Sequence, residues 1–254
     1  MSAPDLAQRI ADVRCRIKRA AERSGRDPAS IRLIAVTKGV GVPAIAAAAA
    51  AGVREFGENR VQEAVAKMAC VAPESDLRGN RQHEGGGVRS WVWHLIGRLQ
   101  TNKVRAAVGR FEVIHSVDTL RLGEAIEAVA SAAGMRQRVL VQVNVGHEPQ
   151  KGGVEPSELQ PLIKALARHA HVQVEGLMTI PPVSADPEGS RPYFRELRRL
   201  GQVVEGEVPG IKMVDYSMGM SDDFEVAVAE GATMVRIGRA IFGARNGGPE
   251  ALPA

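Results

Sequence analysis

The chain has 254 residues, 44% hydrophobic and 24% charged, with a formal net charge of +4 from 33 basic and 29 acidic residues. That length holds one large core, the balance is that of a globular chain, and the small, dispersed basic excess argues against nucleic acid as a partner. The two cysteines, Cys15 and Cys70, lack metal-type spacing, and the longest apolar run, 42–53, is too short to span a bilayer, so a reduced cytoplasmic protein is expected, with no metal and no membrane partner. The opening Ala3-Pro4-Asp5-Leu6 lacks the basic-then-apolar order of a signal peptide.

Leu6, Ile10, Val13 and Ile17 recur at helical spacing, and Gly25 and Pro28 close that first helix. A strand–helix alternation follows. Strands are predicted at 31–36, 54–56, 91–96, 112–115, 139–145, 172–178, 212–217 and 233–237. Helices are predicted between them at 42–51, 58–70, 101–108, 118–133, 156–169, 187–205 and 221–230, with a short last one at 239–243. Asp118 is placed as the cap of the fifth helix and Gly134 as its end, and Pro156 suits a first helical position. Residues 71–90 break the rhythm with Pro, Ser and a Gly85-Gly86-Gly87 run. They read as a mobile loop in which His83 and Glu84 are solvated, and 246–254 as a frayed tail. Eight β-α units of this length predict a single-domain (β/α)8 TIM barrel over 1–254, carrying an extra N-terminal helix, with an open doubly wound sheet as the alternative.

Either architecture places ligands at the C-terminal ends of the strands. Polar residues gather there: Lys38 at the end of strand one, Gly57-Glu58-Asn59 after strand two, and His94 and Gly97 on and after strand three. His115 is placed at the end of strand four, Asn144 late in strand five and Met178-Thr179 at the end of strand six. Ser217-Met218-Gly219-Met220-Ser221 follows strand seven, and Arg236 and Gly238 close strand eight. An amine at the mouth of an apolar strand, near a cation such as Arg236, is favoured in the neutral form that adds to an aldehyde. The alternative is a lysine that snorkels out of the rim. The small residues of 217–221 let backbone N–H groups approach an anion, with Ser221 heading a helix, or Ser221 is an ordinary cap beside Asp222 and Asp223. Arg236 needs an acceptor, which a carboxylate such as Glu58, a phosphate or a ring nitrogen would supply. His94 and His115 are acid–base candidates or packed, hydrogen-bonded core residues. Asn59 and Asn144 orient a ligand or satisfy loop backbone.

Taken together, Val36-Thr37-Lys38, Phe56-Gly57-Glu58-Asn59, His94-Leu95-Ile96-Gly97, His115-Ser116-Val117-Asp118 and Gly176-Leu177-Met178-Thr179-Ile180-Pro181 resemble the YggS/PROSC family. Ser217 to Glu225, Gly231 to Gly238, and Ala240-Ile241-Phe242-Gly243-Ala244-Arg245 extend the resemblance in the same order. The resemblance implies a barrel like the N-terminal domain of alanine racemase that binds pyridoxal 5′-phosphate as a Schiff base on Lys38. It also implies that Ser221, with the backbone around Gly238 and Arg239, holds the phosphate, that Ser217 is a further cofactor-binding residue, that Arg236 faces the pyridine nitrogen, and that Asn59 lies beside the cofactor. Members of the family act in pyridoxal phosphate homeostasis, without an established catalytic turnover; no catalytic residue is assigned. Implied partners are the cofactor and pyridoxal phosphate-dependent apoenzymes, with the chain a monomer or weak dimer. The chain departs from the family at Arg60, where many members have tyrosine, at Arg239, where threonine is usual, and at Gln150-Lys151-Gly152-Gly153, where Lys151 keeps a possible secondary contact. Two other readings are a racemase-like enzyme with Tyr216 or His94 as second proton donor, and an aldolase-type phosphate-binding barrel that uses a lysine imine without the cofactor.

Overall fold

A computed structural model describes residues 3–71, 91–148 and 150–243. Residues 72–90 of the loop predicted at 71–90, the tail at 246–254 and the motif residues Ala244 and Arg245 lie outside the described residues, while Val71 is the last residue of a helix rather than part of the loop. Eight parallel strands close into a barrel in sequence order. They are β1 (Arg32–Val36), β2 (Glu55–Glu58), β3 (Val92–Leu95), β4 (Val113–Val117), β5 (Gln137–Gln142), β6 (Val172–Met178), β7 (Asp215–Ser217) and β8 (Met234–Ile237). The helices outside are α1 (Ala3–Arg23), α2 (Val42–Ala50), α3 (Val61–Val71), α4 (Val104–Ala107), α5 (Leu120–Ala132), α6 (Leu159–Leu166), α7 (Arg191–Glu207), α8 (Phe224–Ala229) and α9 (Arg239–Phe242). The ring closes through β1 and β8, where Ile34 pairs with Arg236, so the open-sheet alternative is excluded.

The extra helix α1 lies outside the barrel against α2, α8 and α9. Its apolar stripe of Leu6, Ile10, Val13, Ile17, Ala20 and Ala21 is buried, as the helical spacing of those residues requires. Arg16 reaches Glu225 at 2.7 Å, and Arg26 donates to the Val228 carbonyl at 2.6 Å, pinning the helix to α8. Helix α5 begins differently from expectation. Thr119, not Asp118, supplies the cap, its Oγ1 accepting from Leu122 N at 3.3 Å. Asp118 instead accepts from Gly153 N at 3.3 Å in the next loop. Pro156 does open the helical turn that leads into α6.

Two apolar layers follow from strand alternation. Outward residues such as Ala35, Phe56, Leu95, Ile114 and Val141 join the helices in the main core. Ile34, Val113, Leu140, Met178 and Met234 form a separate buried cluster inside the barrel. The N-terminal end is closed by charge. Arg32 pairs with Asp215 at 2.5 Å, and Arg138 bridges Glu112 at 2.7 Å and Glu175 at 2.5 Å. That floor leaves the opposite end as the open one. No helix among the described residues is long and apolar enough to cross a membrane.

Candidate functional site

β1 ends at Val36, so Lys38 stands two residues beyond the strand, on the rim. Its side chain is half-buried and makes no hydrogen bond or ion pair among the described residues. The backbone around it is held from behind. Thr37 Oγ1 donates to Glu58 Oε1 at 2.6 Å, Lys67 Nζ donates to the Thr37 carbonyl at 2.6 Å, and Gly39 N donates to Glu63 Oε1 at 2.7 Å. Lys67 links the two carboxylates, 2.6 Å from each. Both neighbours of Lys38 are therefore fixed by α3 and the end of β2, while its amine is left free. Lys67 has no sequence signal beyond its i, i+4 spacing from Glu63 on a predicted helix.

This arrangement corrects one expectation. Glu58 points out of the barrel toward α3 and does not serve as the acceptor for Arg236. Burial raises its carboxyl above the ordinary value of 4.5 despite hydrogen bonds from Lys67 and Thr37. Its second oxygen has no hydrogen-bond partner among the described residues. An acid raised in the folded state stabilises most below the unfolded value, and that contribution is lost as pH rises through the folded value. Glu58→Gln is expected to flatten the stability curve from about pH 4 upward, as read by urea titration at several pH values; an unaltered slope would contradict the assignment.

Arg236 points into the barrel and is 4% exposed. It donates to Ser217 Oγ at 2.7 Å and to the Thr179 carbonyl at 2.9 Å. Burial pushes its guanidinium down to about 10, which leaves it charged at neutral pH. No carboxylate among the described residues forms an ion pair with it, so an interior cation faces the open end with only neutral acceptors. His115 was expected at the end of its strand and instead lies mid-strand, inside the barrel. Its Nδ1 is 2.9 Å from Ser217 Oγ and its Nε2 is 3.0 Å from His94 Nδ1. Both histidines are wholly buried, in agreement with the packed, hydrogen-bonded reading rather than an acid–base role at the mouth.

Gly238 lies beside Val36 across the β8–β1 seam, level with the approach to Lys38. Next to it, Ser221 Oγ accepts from Ala240 N at 3.2 Å, tying the β7 loop to the turn after β8. Ser221 thus does not cap α8. The β7 loop is shaped by Asp223, which accepts from Met220 N at 2.7 Å and from Ser190 Oγ at 2.9 Å. Arg239 turns outward to pair with Asp222 on the surface. Asn59 follows β2 at the same end, half-buried, its amide without a hydrogen bond among the described residues. Gly97 is needed there, because a Cβ would stand 2.3 Å from the Asn59 carbonyl oxygen.

Other candidates are spoken for. Asn144 donates to the Glu148 carbonyl at 3.2 Å and to Glu155 at 2.9 Å, satisfying its loop. Lys151 donates to the Pro181 carbonyl at 2.9 Å and pairs with Glu148. Tyr216 projects outward from β7, where Arg198 stacks 4.3 Å from its ring centre and Gly201 packs on its hydroxyl. It cannot reach a ligand at the mouth, which removes it as the second proton donor. The rim thus gathers Lys38, Asn59, Ser221 and Gly238, with Ser217 and Arg236 below. A free amine, a buried cation hydrogen-bonded to neutral acceptors, a hydroxyl and an amide suit an anionic aldehyde.

The sequence profile of the alanine racemase N-terminal domain matches residues 10–246. A pyridoxal phosphate homeostasis protein of Aquifex aeolicus is 42% identical over 95% of this chain and 99% of its own. The protein of that name from Escherichia coli (strain K12) is 40% identical over 95% of this chain and 97% of its own. Among solved structures, PipY of Synechococcus elongatus with PLP bound superposes with a TM-score of 0.78 at 36% identity, covering 94% of this chain and 100% of that one. Alanine racemase of Corynebacterium glutamicum, at 17% identity and a TM-score of 0.63, covers 95% of this chain and 62% of that one, and shares the barrel fold.

Proposed function

Because the chain belongs to the family of pyridoxal phosphate homeostasis proteins, we propose that it binds pyridoxal 5′-phosphate as a Schiff base on Lys38 and takes part in the intracellular handling of that cofactor. One observation carries the reading: among the described residues the Lys38 amine is free while both of its neighbours are clamped, on the rim of a barrel whose interior cation is hydrogen-bonded only to neutral acceptors. When bound, the cofactor supplies an aldehyde carbon to which a neutral amine adds. Lys38 would provide that amine. Ser221 and the backbone of Gly238 and Arg239 would hold the phosphate side, Asn59 would lie beside the ring, and Arg236, hydrogen-bonded to Ser217, would donate toward the ring nitrogen. A guanidinium there disfavours protonation of that nitrogen and so weakens carbanion chemistry. With Tyr216 behind the strand, no phenol among the described residues serves a second face of a substrate. Both points support holding and release, with pyridoxal phosphate-dependent apoenzymes as recipients, over turnover. A chain that delivers its cofactor has no need of a large permanent interface, which fits a monomer or weak dimer.

The test is borohydride reduction of the protein mixed with pyridoxal 5′-phosphate, followed by peptide mapping. Modification concentrated on Lys38 is the expected result, and an unmodified Lys38 with another lysine labelled would sink the assignment. Arg239→Ala is expected to change cofactor affinity by no more than about twofold, since its exposed pair with Asp222 is worth ~0.5 kcal/mol or less. A loss of tenfold or so in a fluorescence titration would mean that Arg239 swings in to the phosphate.

A further inference from the structure

The polar side chains inside the barrel make a single file. Arg236 Nη1 lies 2.7 Å from Ser217 Oγ, Ser217 Oγ 2.9 Å from His115 Nδ1, and His115 Nε2 3.0 Å from His94 Nδ1. His94 Nε2 in turn approaches Glu55 Oε2 at 3.0 Å, off the line of a formed hydrogen bond. The ends of this file have fixed roles, because a guanidinium has no lone pair to offer and a carboxylate has no proton. Ser217 therefore accepts from Arg236, and its own proton needs a buried acceptor. Among the described residues His115 Nδ1 is the one available. With Nδ1 accepting, the proton of a neutral His115 sits on Nε2 and is donated to His94 Nδ1, which places the His94 proton on Nε2, facing Glu55.

We propose that Ser217 and His115 are positioning residues of the cofactor pocket: a one-way donor file, Arg236 to Ser217 to His115 to His94, ending at Glu55, fixes both imidazoles as Nε2–H tautomers and holds the Arg236 guanidinium toward the mouth. The functional half rests on the pyridoxal phosphate reading above; the tautomer half does not. The charges around the file agree with it. Burial, with His94 beside it, Arg236 above and Arg32 and Arg138 at the floor, holds His115 well below its ordinary value, so a fourth cation is disfavoured there. Glu55, 20% exposed, is the carboxylate facing His94, while Glu112, Glu175 and Asp215 face Arg138 and Arg32. His115 stays neutral in the pH range where an exposed histidine titrates, so the file does not reverse there.

Long-range nitrogen–proton NMR of the cofactor-free, histidine-labelled protein reads the tautomers directly. Nε2–H signals for both rings at pH 8, with His115 unchanged through the range in which an exposed histidine titrates, are expected. An Nδ1–H or charged His115 ring overturns the file whatever the cofactor does. Ser217→Ala removes the donor to His115 with little change in volume. It is expected to release the His115 tautomer into an average and, in titrations with pyridoxal 5′-phosphate, to weaken binding about tenfold and shift the visible band. Fixed tautomers with unaltered affinity and band in Ser217→Ala would overturn the positioning role. A wild-type protein that forms no band while showing the expected tautomers would refute the cofactor reading, and with it the positioning role, and leave the donor file standing.

Discussion

Lys38→Ala is expected to abolish the visible absorbance band that forms when pyridoxal 5′-phosphate is added, and to leave the fold unchanged. The two halves of that expectation have separate causes. The band requires an imine, and Lys38, just beyond β1, offers an amine with no hydrogen bond or ion pair among the described residues. Lys151 donates to the Pro181 carbonyl, and Lys67 is buried among Thr37, Glu58 and Glu63. Loss of the covalent link leaves only phosphate and ring contacts, and affinity is expected to fall by at least about a hundredfold, or ~3 kcal/mol. The folded state loses nothing comparable. Lys38 makes no hydrogen bond among the described residues, so a surface-like change of no more than about 0.5 kcal/mol is expected. Absorbance titration and urea denaturation of the same sample separate the effects. A variant that keeps the band would transfer the role to another lysine, and one that loses band and stability together would mean that Lys38 supports the rim.

Gly176→Ala should be the most damaging single-methyl change in the barrel wall. A Cβ at Gly176 would stand 1.7 Å from the Asp215 carbonyl oxygen of the paired strand. Backbone of β7 has no flexible end with which to yield, and Asp215 is anchored by Arg32 at 2.5 Å. The close approach arises because alternation breaks here. Val174 and Leu177, three residues apart, both face the outer core, and the β5–β6 register shifts at the same level, between Val139 and Leu140. The expected loss is about 4 kcal/mol or more, seen as a fall in Tm of roughly 8–16 °C for a domain of this size. A loss below about 1 kcal/mol would show that β6 and β7 part without cost at this point.

The barrel was legible because its signals are local. Periods of two and of about 3.6, with Gly and Pro punctuation, placed all eight strands to within a few residues and put the polar motifs at one end. The motifs of β1, β2, β7 and β8 also marked the rim, since residues at strand ends share that end in any closed parallel barrel. Other features depended on facing, which a pattern of period two reports poorly over strands as short as the four residues of β2 and the three of β7. Glu58 read as a rim carboxylate and faces α3; Tyr216 read as a candidate donor and lies behind β7. Lys67 drew no attention, because a buried ion pair and a solvated one have the same spacing on a helix. The donor file from Arg236 to Glu55 joins five strands and is invisible along the chain. The sequence by itself therefore determined the architecture and the composition of the rim, through short-range periodicity and chain order. Only the closed barrel decided which polar groups meet, because partners such as His115 and Ser217, 102 residues apart, are brought together by tertiary packing alone.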